Sequence, residues 1–347
     1  MKGIVIHPPH RLAVEDLDLG PEAPGPGQVA VAVKAGGICG SDLHYYRHGG
    51  FGAVRVKEPM VLGHEVAGVV TALGEGVEVL AAGDRVAVNP SRPCRACRYC
   101  LEGLPNHCEA MRFYGSAMPF PHIQGAFRET LVCDAVQCAR VEGQVSYEEL
   151  ALCEPLSVVL HGAKRAGSLL DKRVLVTGSG PIGALAVAVA RHFGAREITA
   201  TDVVPEPLAV ARRLGADRTI DVAAEPEALA AFAAGKGTFD VLFECTGNEH
   251  AIRGALATLR PRGSVVQLGL AGGDLAIPLN LVVAKELQLL GSFRFHEEFG
   301  LAAELIGSRR LDLAPLLTRT YGVDEAVAAF EAAGDRRSAM KVHLAFA

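Results

Sequence analysis

Apolar runs alternate with amphipathic stretches through the second half of the chain. The pattern predicts strands at residues 173–177, 197–202, 240–245, 264–268 and 287–292. Helices are predicted between them, at 181 to about 193, 205–214, 225–234 and 248–260. Such alternation is typical of an α/β fold, in which a doubly wound parallel sheet carries helices on both faces. The first half has a different residue pattern, in which an apolar strand over 29–34 is followed by glycine-rich turns.

A glycine-rich loop joins the first of these strands to its helix. Gly178, Gly180 and Gly183 form the pattern G-x-G-x-x-G, with Pro181 and Ile182 inside it. The first glycine makes the turn, the second lets a pyrophosphate approach the backbone, and the third packs helix against strand. The pattern alone is weak, but its position between a strand and a helix favours a dinucleotide site. A glycine-rich turn without a ligand is the alternative.

The next strand ends in Asp202, nineteen residues after Gly183. An acid at this position binds the adenosine ribose hydroxyls and repels a 2′-phosphate. The following Val203, Val204 and Pro205 offer no arginine that could bind such a phosphate. The sequence therefore predicts NAD as the cofactor, in preference to NADP.

Nine cysteines stand among the 347 residues, an odd number that does not predict a disulfide framework. Cys94, Cys97, Cys100 and Cys108 follow the spacing C-x2-C-x2-C-x7-C. Four thiolates this close can hold one tetrahedral Zn²⁺ with no open coordination position, so the predicted ion is structural. An iron–sulfur cluster with another spacing, or four buried thiols in a loop, are the alternatives.

A second metal site is indicated by three residues that are distant in sequence. Cys39 and His64 each follow a glycine-bounded turn, and Glu154 stands where a helix is expected to begin. Three zinc ligands leave a fourth position for water or substrate, as a catalytic zinc requires. Sequence spacing does not show that the three converge, and a lone histidine is more often a core or surface residue.

Charge and composition exclude several classes of protein. The 34 basic and 39 acidic side chains give a net charge of −5, which argues against a nucleic-acid-binding surface and against a zinc finger. No run of about eighteen uncharged apolar residues predicts a membrane helix. His7 and Arg11 come too early for a secretory signal, so a cytoplasmic protein is expected.

Five motifs together resemble the zinc-containing medium-chain alcohol and polyol dehydrogenases, over essentially the whole chain. They are Cys39-Gly40-Ser41-Asp42, Gly63-His64-Glu65, the four-cysteine segment, Glu154-Pro155 and the loop 178–183. The resemblance implies a GroES-like, mainly-β catalytic domain over 1–152 and a Rossmann NAD-binding domain over 153–291. Residues 292–347 would return to the catalytic domain. A zinc-free reductase of the same fold is the alternative.

The resemblance also implies roles for individual residues. Cys39, His64 and Glu154 would bind the catalytic zinc, with Glu65 as a nearby carboxylate or alternate ligand. Ser41 would begin a proton relay that continues through the nicotinamide ribose to His44. The implied NAD contacts are Ile182, Asp202, Leu268, Gly269, Leu270, Ser292, Phe293 and Arg294. The implied substrate contacts are Tyr45, Phe113, Glu154 and Arg294, and Arg112 is added below as a candidate for a carboxylate.

Within this family, segments 38–46, 111–118 and 291–295 most resemble the members that oxidise a sugar acid. That resemblance implies L-idonate as the substrate, oxidised at carbon 5 to 5-keto-D-gluconate. An aldonate carries a carboxylate, so its pocket should contain a cation such as Arg294, Arg112 or Arg47. Neutral polyols such as sorbitol and xylitol, or threonine, are the alternatives. Sorbitol dehydrogenases usually carry tyrosine where this chain has Phe295.

By the same resemblance we expect a homo-oligomer, a tetramer or a dimer. Residues 281–290 are apolar and would supply an interface next to the edge of the Rossmann sheet. Ordinary core packing is the alternative for this segment.

Overall fold

A computed structural model describes residues 1–8, 11–18 and 23–347. The strands are β1 (Lys2–His7), β2 (Arg11–Asp16), β3 (Gln28–Gly37), β4 (Gly50–Phe51), β5 (Val54–Arg55), β6 (Met60–Val61), β7 (Glu65–Leu73), β8 (Arg85–Val88), β9 (Ser91–Arg92), β10 (Arg112–Phe113), β11 (Thr130–Asp134), β12 (Cys138–Arg140), β13 (Arg173–Thr177), β14 (Glu197–Asp202), β15 (Arg218–Asp221), β16 (Phe239–Glu244), β17 (Leu259–Gln267), β18 (Gln288–Gly291), β19 (Leu317–Gly322) and β20 (Lys341–Ala345). The α-helices are α1 (Gly40–His48), α2 (Arg98–Leu101), α3 (Tyr147–Ala151), α4 (Cys153–Ala166), α5 (Pro181–His192), α6 (Pro205–Arg213), α7 (Glu249–Thr258), α8 (Leu279–Ala284), α9 (Glu298–Gly307) and α10 (Ala326–Ala333).

The predicted doubly wound sheet is confirmed. Six parallel strands pair in the order β15-β14-β13-β16-β17-β18. The order reverses beside β13, so the carboxyl ends of β13 and β16 flank the crevice where such sheets bind ligands. Helix α5 follows β13 through the glycine-rich loop, with Gly180 as its N-cap.

One predicted helix is wrong. Residues 225–234 form turns and a short 3₁₀ helix, Ala230–Ala233, in place of an α-helix. All ten of these residues are described, and Leu229 alone among them is buried. A short helix is stabilised in a protein by packing an apolar face, and this segment packs only Leu229 and the half-buried Phe232 on the core, too little to hold an α-helix.

The first half of the chain builds a mainly antiparallel sheet around β3. Its strands follow the order β12-β8-β7-β3-β20-β19, and β11 pairs with the first half of β3. The C-terminal strand β20 is antiparallel to the end of β3, where His343 faces Gly37. The chain therefore returns to its first sheet within two residues of Cys39. The boundaries 1–152, 153–291 and 292–347 stay predictions.

Two turns at the ends of these strands bring distant residues together. Cys39 is the N-cap of α1, directly after β3, and His64 precedes the first residue of β7. Asp42 joins the two turns, because its carboxylate accepts hydrogen bonds from Cys39 N at 3.0 Å and Gly63 N at 3.3 Å. Gly63 has φ +89°, a conformation that favours glycine.

The apolar segment 281–290 forms the end of α8 and most of the strand β18, at the edge of the parallel sheet. Val283 and Leu289 are exposed there. An interface between copies of the chain stays a prediction. Within the described ranges, no helix combines the length and the apolar character needed to cross a bilayer.

Gly63→Ala should destabilise the protein more than Gly83→Ala, a matched control at φ +95°. Both changes force alanine into a left-handed backbone, at a cost of about 1–2 kcal/mol. A Cβ at residue 63 would also overlap the ring of Phe127, whereas nothing lies within 4 Å of one at residue 83. The overlap should add roughly 1–3 kcal/mol, visible as a larger loss of thermal stability. Equal losses would contradict this account.

Candidate active site

Cys39, His64 and Glu65 converge on one point. Their ligand atoms lie within 4.8 Å of one another, and the His64 and Glu65 side chains are buried. Asp42, fully buried behind them, has Oδ1 at 3.8 Å from His64 Nδ1. This separation is too long for a hydrogen bond, and among the described residues His64 Nδ1 has no hydrogen-bond partner. The three groups fit a divalent ion of the zinc type.

The charges around His64 favour a cation. Burial by itself lowers the pKa of His64, but the negative charges of Asp42, Cys39 and Glu154 outweigh it and raise that pKa well above its usual value. A site that draws a proton onto a fully buried imidazole also attracts a metal ion, which would replace that proton. The same group of side chains thus supplies both the ligand atoms and the negative charge that a cation requires.

The buried Lys341 is paired with the Glu65 carboxylate. Lys341 of β20, 3% exposed, donates to Glu65 Oε1 at 2.6 Å and lies 2.5 Å from Oε2. Its ammonium group also donates to Ile38 O at 3.1 Å. Burial lowers the pKa of Lys341, but the charges of Glu65 and Cys39 outweigh burial and raise that pKa. The ion pair keeps the Glu65 carboxylate beside the metal position.

Glu154 lies near Cys39, His64 and Glu65, but its carboxylate is not among the ligand atoms that lie within 4.8 Å of one another. It stands in the first turn of α4 and is buried, and burial, aided by Glu65, raises the pKa of Glu154 to about 7. Within the part of the chain that the structure describes, its oxygens are not grouped with the ligand atoms of Cys39 and His64, whereas those of Glu65 are. Sequence reasoning ranked Glu154 first; the structure favours Glu65, because Glu65 follows His64 directly at the start of β7.

The four clustered cysteines form a second metal group. The sulfurs of Cys94, Cys97, Cys100 and Cys108 lie within 4.8 Å of one another. Cys94 N donates to the Cys108 sulfur at 3.1 Å, and Cys97 N donates to the Cys94 sulfur at 3.3 Å. Backbone N–H groups of Cys100 and Glu109 lower the pKa of Cys97 to about 6. Burial, by contrast, raises the pKa of Cys100 to about 12. Four sulfurs in one close set fit a metal ion that has no open coordination position.

An aromatic and cationic wall stands beside the catalytic group. The Phe113 ring centroid lies 5.5 Å from that of His64, and the Arg294 guanidinium carbon lies 4.3 Å from the Phe113 centroid. Burial lowers the pKa of Arg294, while the Glu154 and Tyr45 charges act in the opposite direction. Arg294 has φ +54°, an uncommon conformation for arginine that occurs where surrounding structure holds a residue in place.

Tyr45, also predicted to touch substrate, is 2% exposed. Its phenolic oxygen accepts a hydrogen bond from Ala117 N at 3.1 Å. Burial raises the pKa of Tyr45 to about 12, so the hydroxyl remains protonated near neutral pH. The ring packs against Phe51, with centroids 5.4 Å apart, and the hydroxyl is already engaged by the backbone.

Other predicted contacts are not brought into this group. Arg112 is exposed, and because it neighbours Phe113 in a strand, its side chain points to the opposite face. Arg47 donates to Gly334 O at 3.3 Å on the far side of α1. Phe295 is 2% exposed, and its ring stacks on that of Phe299 with the centroids 5.8 Å apart. The presence of phenylalanine in place of tyrosine at this position therefore affects core packing.

Ser41 and His44 share a face of α1, being three residues apart on a helix. Ser41 is half-buried near Cys39, whereas His44 is exposed. Partial burial, aided by the charge of His48, lowers the pKa of His44, which favours a neutral imidazole able to accept a proton. The arrangement suits a path from the metal site to solvent.

The glycine-rich loop forms a cradle at the carboxyl end of β13. Gly178 has φ +80°, and a Cβ at Gly183 would overlap the Gly178 carbonyl oxygen. A Cβ at Gly180 would meet nothing within 4 Å, so the space above it is open to a ligand at the α5 N-terminus. Pro181 and Ile182 begin α5. The loop fits a pyrophosphate.

The other predicted NAD contacts line the same edge of the sheet. They follow the carboxyl ends of β17 and β18, and they are Leu268, Gly269, Leu270, Ser292, Phe293 and Arg294. Phe293 O accepts a hydrogen bond from Asn106 Nδ2 at 3.1 Å, which connects this edge to the four-cysteine segment. The Arg294 guanidinium carbon lies 4.3 Å from the Phe113 ring centroid and 5.0 Å from that of Phe293.

Asp202 has a partner that local sequence could not supply. It ends β14, and Arg336, from the turn after α10, donates to both of its oxygens. Val203, Val204 and Pro205 offer no arginine, as the sequence shows, but an arginine reaches Asp202 from 134 residues further along the chain. The sequence analysis predicts no role for Asp42, Lys341 or Arg336. The only indication of one is that a lysine stands in the apolar strand β20.

The comparisons with known proteins agree with this geometry. Residues 25–143 match the alcohol dehydrogenase GroES-like domain, and residues 181–308 match the zinc-binding dehydrogenase family. The chain belongs to the zinc-containing medium-chain alcohol and polyol dehydrogenases, and it is an enzyme that uses zinc and a nicotinamide cofactor.

Particular relatives are similar over nearly their whole length. The chain is 40% identical to L-idonate 5-dehydrogenase (NAD(P)(+)) of Escherichia coli, over 91% of each chain. It is 38% identical to sorbitol dehydrogenase of Arabidopsis thaliana, over 92% of this chain and 88% of the relative. The crystal structure of the Escherichia coli L-idonate 5-dehydrogenase superposes with a TM-score of 0.94, covering 99% of this chain and 98% of that one.

Asp42→Asn should destabilise the protein and weaken metal binding. An amide offers one acceptor oxygen where the carboxylate uses two, so one buried N–H, of Cys39 or Gly63, loses its partner at a cost of about 1–3 kcal/mol. Thermal unfolding of chelator-treated protein would measure this loss, with Asp274→Asn, at an exposed position, as the control. An unchanged midpoint for Asp42→Asn would contradict the assigned role.

Proposed function

We propose that this chain oxidises a secondary alcohol of a sugar acid, L-idonate to 5-keto-D-gluconate, with NAD as the favoured hydride acceptor. The observation that carries the substrate proposal is Arg294, a half-buried cation whose guanidinium carbon lies 4.3 Å from the Phe113 ring centroid. A planar guanidinium pairs with a carboxylate through two parallel hydrogen bonds. The similarity to the Escherichia coli L-idonate 5-dehydrogenase supports the same substrate. Sorbitol, xylitol and threonine are the alternatives.

The catalytic zinc would be held by Cys39, His64 and Glu65, with Glu154 as an alternate ligand, and the structural zinc by the four clustered cysteines. When bound, the zinc would supply Lewis-acid chemistry and the nicotinamide would supply the redox chemistry. Oxidation sends a hydride to the cofactor and releases one proton.

The chain's own side chains position the reactants and move that proton. Ser41 accepts it beside Cys39, and His44, one helical turn away, passes it to solvent because its lowered pKa keeps the imidazole neutral. Phe113 and Tyr45 exclude water from one side of the pocket, and Arg294 fixes the far end of the substrate. Alignment of the alcohol carbon with the nicotinamide is the main contribution of these groups.

Arg294→Gln should raise KM for L-idonate by about tenfold or more, because the carboxylate of the substrate loses a charge-assisted partner. KM for sorbitol, which has no carboxylate, should change far less. Steady-state NADH formation measures both constants, and Arg112→Gln is the matched control. Equal effects on the two substrates would contradict the carboxylate contact, and NADH formed with sorbitol but not with idonate would contradict the substrate.

The two proposed zinc sites should separate by mutation. Wild-type protein should hold about two zinc ions per chain by elemental analysis. Cys100→Ser should remove about one of them and lower the thermal midpoint, because the segment 94–108 depends on metal for its fold. Cys39→Ser should remove the other and abolish activity with a smaller loss of thermal stability. Retention of both ions in either variant would contradict the assignment.

A further inference from the structure

Arg336 forms an ion pair between the two ligand-binding halves of the molecule. Its Nη2 lies 3.0 Å from Asp202 Oδ1 and 2.7 Å from Asp202 Oδ2. The Asp202 side chain is 2% exposed, whereas the Arg336 side chain is 53% exposed. The acid is therefore fixed within the parallel sheet, and the base reaches it from solvent.

Backbone groups and Arg336 together saturate the carboxylate. Asp202 Oδ2 accepts from Ser179 N at 2.8 Å, and Oδ1 accepts from Val203 N at 2.7 Å and Val204 N at 3.1 Å. A carboxylate offers about four acceptor sites, and these three N–H groups and the guanidinium fill them. A ribose diol that binds Asp202 must take the place of Arg336, because the three backbone donors belong to the loop and cannot leave.

The backbone of Arg336 is held in place while its side chain is free to turn. Asp335 organises the turn, accepting from Arg337 N at 3.1 Å and from the Ser338 hydroxyl at 2.7 Å. Ala339 N donates to Asp335 O at 3.0 Å. A displaced guanidinium therefore stays within reach of the adenosine ribose, where it neutralises the charge of Asp202 and offers five N–H donors.

We propose that Arg336 determines cofactor specificity by exchanging Asp202 for the 2′-phosphate of NADP. Asp202 alone would repel that phosphate, whereas the pair admits it, because the guanidinium moves from carboxylate to phosphate without losing a charged partner. The chain thus accepts NADP beside NAD. This inference rests on the proposed nicotinamide site at the glycine-rich loop and adds to it a residue from the C-terminal segment.

Calorimetric titration with NAD⁺ and with NADP⁺ tests the proposal, since the chain has no tryptophan for a fluorescence signal. Arg336→Ala should raise the ratio of the NADP⁺ dissociation constant to that of NAD⁺ by about tenfold or more. Arg336→Lys, which retains the charge without the fork, should give a smaller rise. Arg337→Ala, a neighbouring exposed arginine, is the matched control and should leave the ratio within about twofold.

Three results would overturn the inference: wild-type protein that binds NAD⁺ and not NADP⁺, an unchanged ratio in Arg336→Ala, or an equal loss of affinity for both dinucleotides. The last result would assign Arg336 a purely structural part. Wild-type protein that binds neither dinucleotide would instead contradict the proposed cofactor site, so the two failures are distinguishable. Thermal unfolding of each variant checks that it is folded.

Discussion

Buried negative charge around His64 is the constraint on which the catalytic half depends. Asp42, Glu65 and Glu154 are all buried within one small region, together with the Cys39 sulfur. Removing a carboxylate from water costs several kcal/mol unless hydrogen bonds or a cation compensate it. Asp42 is compensated by two backbone N–H groups, and Glu65 by Lys341. Glu154 has no such direct partner in the described structure, and burial raises its pKa to about 7.

The same constraint explains why the chain must return to its first sheet. Cys39, Glu65 and Glu154 come from the first half, but the compensating ammonium group comes from Lys341 of β20. Five residues earlier, Arg336 compensates Asp202 in the parallel sheet. One short stretch, 336–341, therefore supplies the positive charge that pairs with both Glu65 and Asp202. The C-terminal segment is an electrostatic part of each site as well as a strand of the sheet.

Whether a contact could be predicted from the sequence depends on how far apart its residues lie along the chain. The four-cysteine set and the loop 178–183 lie within fifteen residues or fewer, so spacing alone constrains their geometry. The parallel direction of the second sheet follows from the alternation of strands and helices, whereas its strand order does not. The Arg336–Asp202 and Lys341–Glu65 contacts join residues 134 and 276 apart, and no local pattern encodes them. The 225–234 segment failed because helix propensity with so small a buried face does not stabilise a helix.

An acid that is paired with a base recognises ligands differently from an acid that stands alone. A lone buried carboxylate accepts hydroxyl groups or cations and rejects anions, and removing its partner leaves an uncompensated charge. In an acid–base pair each member can take a new partner. Glu65 can bind a metal ion while Lys341 keeps its hydrogen bond to Ile38 O. Asp202 can accept a hydrogen bond from a hydroxyl group while Arg336 binds an anion. Because specificity is a difference between affinities, such a pair narrows the difference between neutral and anionic ligands. An acid at the ribose position therefore predicts strict NAD preference only where no basic side chain from elsewhere in the fold reaches it.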